Sequence, residues 1–218
     1  MVAKVISGRE VAETILTTNL KNKVLELNKK NIKPKLIVML VGDMKASASY
    51  VAQKEKFAVK AGIESDIMRF EATVTEEEIL TQIDNINNDK SIHGVIVQLP
   101  LPDHISVTKV LNKIDPSKDV DGFTPTNVGK LFLGEDTLVS CTPKGIMQML
   151  ASTGTNLSGK NVTVVGRSNI VGKPVAILCL QQNATVTMCH SRTKDLNSKL
   201  ADADVIIVAV GIPKFING

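Results

Sequence analysis

The sequence predicts an α/β protein of two domains, because strand-like and helix-like segments alternate along the whole chain. Two apolar runs, Leu36–Val41 and Gly94–Leu99, have the continuous hydrophobicity of buried parallel strands. From Gly159 onward, strands and helices follow one another in a compact series. At roughly 100–200 residues per domain, a chain of 218 residues accommodates two such units. We therefore expect two three-layer α/β domains with largely parallel sheets and a cleft between them.

Helical patterns flank the first strand. Apolar residues recur at helical spacing from Val11 to Leu27. A second helix is expected over about Ala46–Ala61, where Gly62 is placed to end it. The Leu36–Val41 strand therefore lies between two helices.

A capping box predicts the next helix, since Thr75 and Glu78 stand three residues apart. The second strand ends at the proline-rich corner Leu99-Pro100-Leu101-Pro102, and a short helix is predicted over Val107–Ile114. The chain is then expected to be irregular as far as Gly134.

The second domain is expected to begin with a helix over Lys144–Ala151. Thr142 has the sequence of an N-cap for this helix, and Pro143 suits its first helical position. We place the boundary so that residues 1–140 form the first domain and residues 141–218 the second.

The second half of the chain is predicted to form a βαβ series. Its strands are expected at Asn161–Val165, Ala184–Cys189 and Asp204–Val210, and its helix at Gly172–Gln182. Parallel strands joined in this way are typical of a Rossmann-type dinucleotide-binding domain.

A glycine-containing turn joins the first strand of this series to the helix. Glycine lets the backbone approach a pyrophosphate closely, and a helix N-terminus offers free N–H groups and the positive end of the helix dipole. Gly166, Arg167 and Ser168 are therefore candidate dinucleotide ligands, as is Thr142. Gly166 and Gly172 are six residues apart, unlike the common dinucleotide fingerprint, so an ordinary tight turn is the alternative.

The tip of the second strand favours NADP over NAD. A carboxylate at this position usually binds the ribose hydroxyl of NAD, but none occurs here before Asp195. Ser191 and Arg192, with Arg167 from the first turn, suit a 2′-phosphate instead. His190 is a further candidate cofactor ligand, with a structural role as its alternative.

Three polar residues share one face of the second helix. Ser47, Tyr50 and Lys54 follow one another at three- and four-residue spacing, and Tyr50 is the only tyrosine. The alternative is a solvated lysine beside a tyrosine packed at a domain edge.

Gln98 ends a buried strand, immediately before Leu99 and Pro100. Ligands bind at the carboxyl ends of strands in open parallel sheets, so this corner is a candidate binding site. Asp119 and Asp121 lie in a later loop and are suited either to binding a polar heterocycle or to turning the chain.

Composition excludes several classes of function. The net charge of +4, from 26 basic and 22 acidic residues, and an aromatic content of 3% argue against a nucleic-acid-binding surface. Cys141, Cys179 and Cys189 form no C-x-x-C pair, so free thiols are expected and no metal site is predicted. Neither a signal peptide nor an apolar run of membrane-spanning length is visible. We expect a cytoplasmic protein.

Five motifs occur in order across essentially the whole chain. They are Gly42–Lys54, Val97–Pro102, Asp119–Gly122, Cys141–Gly145 and Val165–Pro174. Together they resemble the signatures of the methylenetetrahydrofolate dehydrogenase/methenyltetrahydrofolate cyclohydrolase family.

The resemblance implies NADP-dependent oxidation of 5,10-methylenetetrahydrofolate, followed by hydrolysis of the methenyl product to 10-formyltetrahydrofolate. It implies that Lys54 is the catalytic lysine of the hydrolysis and that Gln98 hydrogen-bonds to it. Tyr50 is implied to pack against the folate and order the site, and Asp121 to accept hydrogen bonds from the pterin. The remaining implied substrate contacts are Ser47, Leu99 and Pro100.

The resemblance also implies a homodimer. Family members continue past Gly218, so we expect weakened or absent turnover in the chain as given. A non-catalytic NADP- or folate-binding remnant is one alternative. Another is a shikimate-type dehydrogenase that shares only the architecture, but this leaves the set of Tyr50, Lys54, Gln98 and Asp121 unexplained.

Overall fold

The computed structural model describes residues 3–43 and 45–217, apart from the side chains of residues 45–49. Its contacts divide the chain into two compact units. The first is Ser7–Pro125, and the second comprises residues 3–6 and 126–217 of the described chain. The boundary predicted at residue 140 separates a folate-binding domain from an NADP-binding domain, and it stays a prediction.

The first unit begins with the expected helical segment. Helix α1 (Gly8–Ile15) passes through a π-helical turn (Leu16–Leu20) into helix α2 (Lys21–Lys29). The Ser7 side chain accepts a hydrogen bond from the backbone N–H of Glu10, which caps α1. This helical segment covers the whole range in which the apolar spacing was found.

One parallel sheet forms the centre of the first unit. Strands β1 (Lys35–Val41), β2 (Glu64–Phe70) and β3 (Gly94–Val97) lie in the order β2-β1-β3. Strand β2 was not predicted from the sequence, and β3 ends two residues before its predicted end at Leu99. The β3 ladder ends before the corner at Leu99-Pro100, where the peptide bond is cis and the proline offers no N–H.

Helices cover both faces of this sheet, as expected for three layers. They are α3 (Lys45–Ala61), α4 (Glu76–Asn88) and α5 (Val107–Lys113). Alternate residues of β1 point to opposite faces: Met39 packs with Ile83 of α4, and Val38 packs with Val51 of α3. The predicted capping box of α4 is present, with both reciprocal hydrogen bonds made.

The second unit has the predicted βαβ core. Its sheet consists of β4 (Asn161–Val165), β5 (Thr185–Cys189) and β6 (Val205–Val208), all parallel, in the order β5-β4-β6. Its helices are α6 (Pro125–Leu133), α7 (Cys141–Ser152), α8 (Gly172–Gln181) and α9 (Leu196–Ala201). Buried Val162, Val164 and Val175 pack on one face of this sheet, while the Thr163 hydroxyl bonds to the Lys199 carbonyl of α9 on the other.

Two expectations about the start of this unit were wrong. The stretch expected to be irregular contains α6, whose Leu131 is buried and accepts a hydrogen bond from the Gln181 side chain at 2.6 Å. The N-cap of α7 is Ser140 and not Thr142, which lies inside the helix. Pro143 is therefore the third helical residue, where an N–H would still lack an intrahelical partner.

Within the part of the chain that the structure describes, no helix combines the length and apolar character needed to cross a bilayer.

Candidate functional site

The strand order of the first unit defines a point at which ligands bind in such sheets. The chain passes from β1 outward to β2 on one side and to β3 on the other, so the reversal lies between β1 and β3. Crevices at the carboxyl ends of strands beside such a reversal are the usual ligand sites. Helix α3, which carries Lys54, follows β1, and Gln98 follows β3.

Lys54 and Gln98 are in direct contact, although 44 residues separate them. The Lys54 ammonium donates a hydrogen bond to Oε1 of Gln98 at 3.2 Å, and it lies 3.9 Å from Oδ2 of Asp121. The side chains of Lys54 and Asp121 are 31% and 16% exposed, so both are shielded but accessible. The structure thus brings together one cation, one neutral amide and one carboxylate, the three polar groups on which the resemblance depends.

The orientation of the Gln98 amide is fixed by a second hydrogen bond. Its Nε2 donates to the carbonyl oxygen of Leu99 at 2.9 Å. Because an amide nitrogen can only donate, Oε1 must face Lys54. The Gln98 backbone N–H also bonds to the carbonyl of Met39 in β1, which ties this residue to the sheet.

Asp121 lies in a loop that is anchored to β3. The backbone N–H of Val95 donates to the carbonyl of Lys118 at 2.8 Å, and Asp119 forms an isolated bridge with Val95. Asp119 is buried, with 2% of the residue exposed, and its Oδ2 accepts a hydrogen bond from the Thr124 N–H. Of the two roles considered for these aspartates, Asp119 therefore has the structural one, and Asp121 faces Lys54.

The other predicted substrate residues are less well defined. Tyr50 lies one helical turn before Lys54, with 65% of its surface exposed, and it makes no hydrogen bond to Lys54 or Gln98 in the described chain. The Ser47 side chain lies outside the described residues. Leu99 is half-buried and Pro100 exposed at the corner beside Gln98.

The candidate site around Lys54 does not coincide with the cavity of about 930 Å³ in the first unit. That cavity lies at the opposite edge of the first sheet, where it is lined by the starts of β1 and β2 and by His93. Three lysines line this cavity, Lys33, Lys35 and Lys90, and the Lys35 ammonium is already paired with Asp66. We place the site at Lys54 because polar groups converge there at the carboxyl ends of the strands.

The second unit has a corresponding reversal between β4 and β6. Gly166 follows β4, and its N–H donates to the carbonyl of Cys189 at the end of β5. Its φ is +126°, and a Cβ at this position would stand 2.4 Å from the Ala209 carbonyl oxygen after β6. Only glycine permits this close approach of three strand ends.

The N-terminus of α8 differs from expectation. Free N–H groups were expected there, but Val171 and Gly172 donate theirs to the Ser168 hydroxyl at 3.1 and 3.2 Å. Lys173 donates to the Ser168 carbonyl, and Pro174 has no N–H. Ser168 therefore closes the helix start internally, a side-chain-to-backbone arrangement that spacing alone does not reveal.

His190 organises the tip that follows β5. Its backbone N–H donates to the Thr193 hydroxyl at 2.8 Å, and its Nδ1 accepts a hydrogen bond from the Arg192 N–H at 3.1 Å. The ring thus has the structural contact given above as the alternative role. Ser191 and Arg192 are exposed at this tip.

Two exposed guanidinium groups follow neighbouring strand ends. Arg167 comes after β4 and Arg192 after β5, and the bond from Gly166 to Cys189 holds the two ends together. Hydroxyls beside cations, with no carboxylate at the tip, fit a phosphorylated dinucleotide such as NADP. Thr142 is exposed in the first turn of α7, and among the described residues no hydrogen bond joins it to either strand-end loop.

Known proteins resemble this chain over nearly its whole length. Residues 6–121 match the family described as tetrahydrofolate dehydrogenase/cyclohydrolase, catalytic domain, and residues 140–218 match the NAD(P)-binding domain of the same family. The bifunctional protein FolD of Geotalea daltonii is 53% identical over 216 residues, which cover 99% of this chain and 77% of the relative.

Solved structures agree with this match. The bifunctional FolD methylenetetrahydrofolate dehydrogenase/cyclohydrolase of Campylobacter jejuni has a TM-score of 0.95 at 42% identity, covering 98% of this chain and 76% of the relative. The FolD enzyme of Trypanosoma brucei, complexed with NADP cofactor and inhibitor, has a TM-score of 0.91 at 36% identity, covering 97% and 73%. With both domains matched, the chain belongs to the tetrahydrofolate dehydrogenase/cyclohydrolase family.

Proposed function

We propose that this protein oxidises 5,10-methylenetetrahydrofolate with NADP and hydrolyses the resulting methenyl compound to 10-formyltetrahydrofolate. The observation that carries the proposal is the convergence of Lys54, Gln98 and Asp121 at the carboxyl ends of the strands of the first sheet. Family membership and the bifunctional relatives support both reactions.

Each part of the chain has its own share in this function. Residues 1–140 bind the folate, and residues 141–218 bind NADP. The exposed Arg167, Ser191 and Arg192 bind the 2′-phosphate, and the Gly166 loop lies against the dinucleotide. Ser168, His190 and Thr142 remain proposed cofactor contacts.

In the oxidation, the protein mainly positions the substrate. The Asp121 carboxylate accepts hydrogen bonds from the amino and ring N–H groups of the pterin, and the exposed ring of Tyr50 packs against it. This fixes the methylene carbon, and such orientation contributes much to a hydride transfer. When bound, NADP supplies the hydride acceptor. Ser47, Leu99 and Pro100 are the further proposed substrate contacts.

In the hydrolysis, Lys54 moves protons. Water forms a bond to the methenyl carbon and loses one proton. The bond from that carbon to N5 then breaks, its electron pair stays on N5, which takes up a proton, and the added hydroxyl loses its second proton to become the formyl C=O, so that one proton is released overall. As a neutral amine, Nζ of Lys54 accepts the proton of the water, and as an ammonium it returns one to N5. Oε1 of Gln98 accepts a hydrogen bond from either form of Nζ.

We further propose a cytoplasmic homodimer. The dimer is implied by resemblance to the family, and sedimentation of the purified chain tests it. A species of twice the chain mass is the expected result.

The decisive experiment replaces Lys54 with methionine, which keeps the length of the aliphatic stem but removes the ammonium. We expect Lys54→Met to lower the rate of methenyltetrahydrofolate hydrolysis by roughly 10²–10⁴-fold, the usual contribution of a positioned acid–base group. Binding of the reduced cofactor NADPH, measured by its fluorescence, should be retained.

Lys56→Met is the matched control, because Lys56 is exposed on the same helix two residues away. It should hydrolyse the methenyl compound at the rate of the wild type. A Lys54→Met protein that hydrolyses as fast as the control would remove the proposed proton-transfer role. Absence of both reactions from the wild type and from a version extended to the length of its relatives would refute the proposed function itself.

A further inference from the structure

We propose that Lys118 is a positioning residue for folate binding, which it supports by fastening the loop of Asp121 to the end of helix α4. This proposal rests on the proposed function, because it takes Asp121 as the ligand of the pterin. Lys118 itself is three residues away from Asp121 and contacts neither Lys54 nor Gln98 in the described chain.

The Lys118 ammonium caps the C-terminus of α4. Its Nζ donates to the carbonyl oxygens of Ile86 at 2.6 Å, Asn87 at 2.9 Å and Asp89 at 2.7 Å. The last carbonyls of a helix lack intrahelical partners and carry the negative end of the helix dipole. An ammonium group has three N–H donors, so all of its donors are used here.

The backbone around Lys118 is fastened on the other side as well. The carbonyl of Lys118 accepts the Val95 N–H of β3, so one residue joins α4 to the sheet. The side chain of Asn87 accepts from the Asp115 N–H and donates to the Lys113 carbonyl, at 3.0 and 2.8 Å. The loop therefore begins at a point fixed from two directions.

The backbone between Lys118 and the Asp121 carboxylate has little conformational freedom. Asp119 is buried and bonds to the Thr124 N–H, and Val120 packs so closely on Gly94 that an added Cβ would lie 2.6 Å from its methyl group. Asp121 follows directly, with its Oδ2 at 3.9 Å from Nζ of Lys54. A shift at Lys118 must therefore displace the Asp121 carboxylate.

The test compares Lys118→Met with Lys118→Arg in the whole chain. We expect Lys118→Met to raise the KM for methylenetetrahydrofolate about tenfold, the size expected when a charge-assisted hydrogen bond is weakened. The KM for NADP should stay within about twofold of the wild-type value, since the proposed cofactor residues lie in the other unit. Lys118→Arg retains a cation with N–H donors and should restore part of the folate affinity.

Lys113→Met is the matched control, because the Lys113 ammonium also pairs with α4, through Asp84 at 2.7 Å. Amide hydrogen exchange gives a readout that does not need turnover: the peptide spanning residues 115–124 should exchange faster in Lys118→Met and be unchanged in Lys113→Met.

Faster exchange with a raised folate KM upholds the proposal. Unchanged exchange, or an unchanged folate KM in a variant that is merely less heat-stable, overturns it. Absence of turnover from both the wild type and the extended version refutes the proposed function, and the exchange comparison then decides whether Lys118 fixes the loop.

Discussion

The Lys54 side chain has partners that constrain it in different ways. Gln98 is uncharged and its amide is held by Leu99, so it contributes direction and leaves the charge of Nζ unbalanced. Asp121 contributes a charge at 3.9 Å, a distance too long for a hydrogen bond to Nζ. The lysine is thus aimed by an amide and faced by a carboxylate.

Arg192 provides a test of cofactor choice at the level of one side chain. We expect Arg192→Ala to weaken NADP binding roughly tenfold or more while NAD binding changes little, because only NADP carries the phosphate that the guanidinium would pair with. Titration of both nucleotides by calorimetry measures the two losses. Arg9→Ala, at an exposed position of α1, is the control and should affect neither. Equal losses for NADP and NAD in Arg192→Ala would contradict the phosphate assignment, and the double variant with Arg167→Ala should enlarge the difference.

At the scale of elements, the sequence predicted those that have a local signal. The continuous apolar run of β1 and the capping box of α4 gave elements at or near their observed positions. Strand β2 was missed because its sequence, ESDIMRF, is polar and belongs to an edge of the sheet. Helix α6 contains a proline and a glycine, and tertiary contacts through Leu131 outweigh that local signal.

The site was predictable in its residues but not in its contacts. Helical spacing places Tyr50 and Lys54 on one face, yet only resemblance to a family connected Lys54 with Gln98. The internal capping by Ser168 and the three bonds of Lys118 were not foreseen. Both are hydrogen bonds between a side chain and backbone groups of other residues. The spacing of apolar and polar residues along the sequence does not predict such bonds.

The turn between β4 and α8 depends on the absence of a side chain at Gly166. We expect Gly166→Ala to destabilise the protein by at least about 2 kcal/mol, since the new Cβ would meet a backbone oxygen at a positive φ. Chemical denaturation measures this loss, and NADP binding should weaken with it. Gly211→Ala is the control, because a Cβ there meets nothing within 4 Å. Equal stability of the two variants would show that the strand ends can move apart without cost.

At the scale of the whole molecule, hydrogen-bonded carboxylates connect stability to pH. Each unit contains aspartate or glutamate side chains whose pKa is lowered mainly by hydrogen bonds donated to the ionised form. In the first unit these residues are Glu76, Glu78, Asp89 and Asp115, and in the second the residue is Asp204. A folded-state pKa below the unfolded value adds stability above the unfolded pKa, near 4, and this stability is lost as the pH falls through the folded value. Acid should therefore destabilise both units.

Asp204 allows this to be tested at one position. Its carboxylate accepts hydrogen bonds from the Asn161 N–H at 2.9 Å and from the Lys160 ammonium at 3.1 Å, and the first of these contributes most to its lowered pKa. Asp204→Asn should lower the melting temperature at pH 7. The difference from wild type should shrink as the pH falls below about 4, because the protonated wild-type carboxyl then also lacks its charge. Asp202→Asn, an exposed position two residues away, should melt like the wild type throughout. A deficit of Asp204→Asn that stays constant from pH 7 down to acid unfolding would mean that the shape of the side chain, and not its ionisation, joins the starts of β4 and β6.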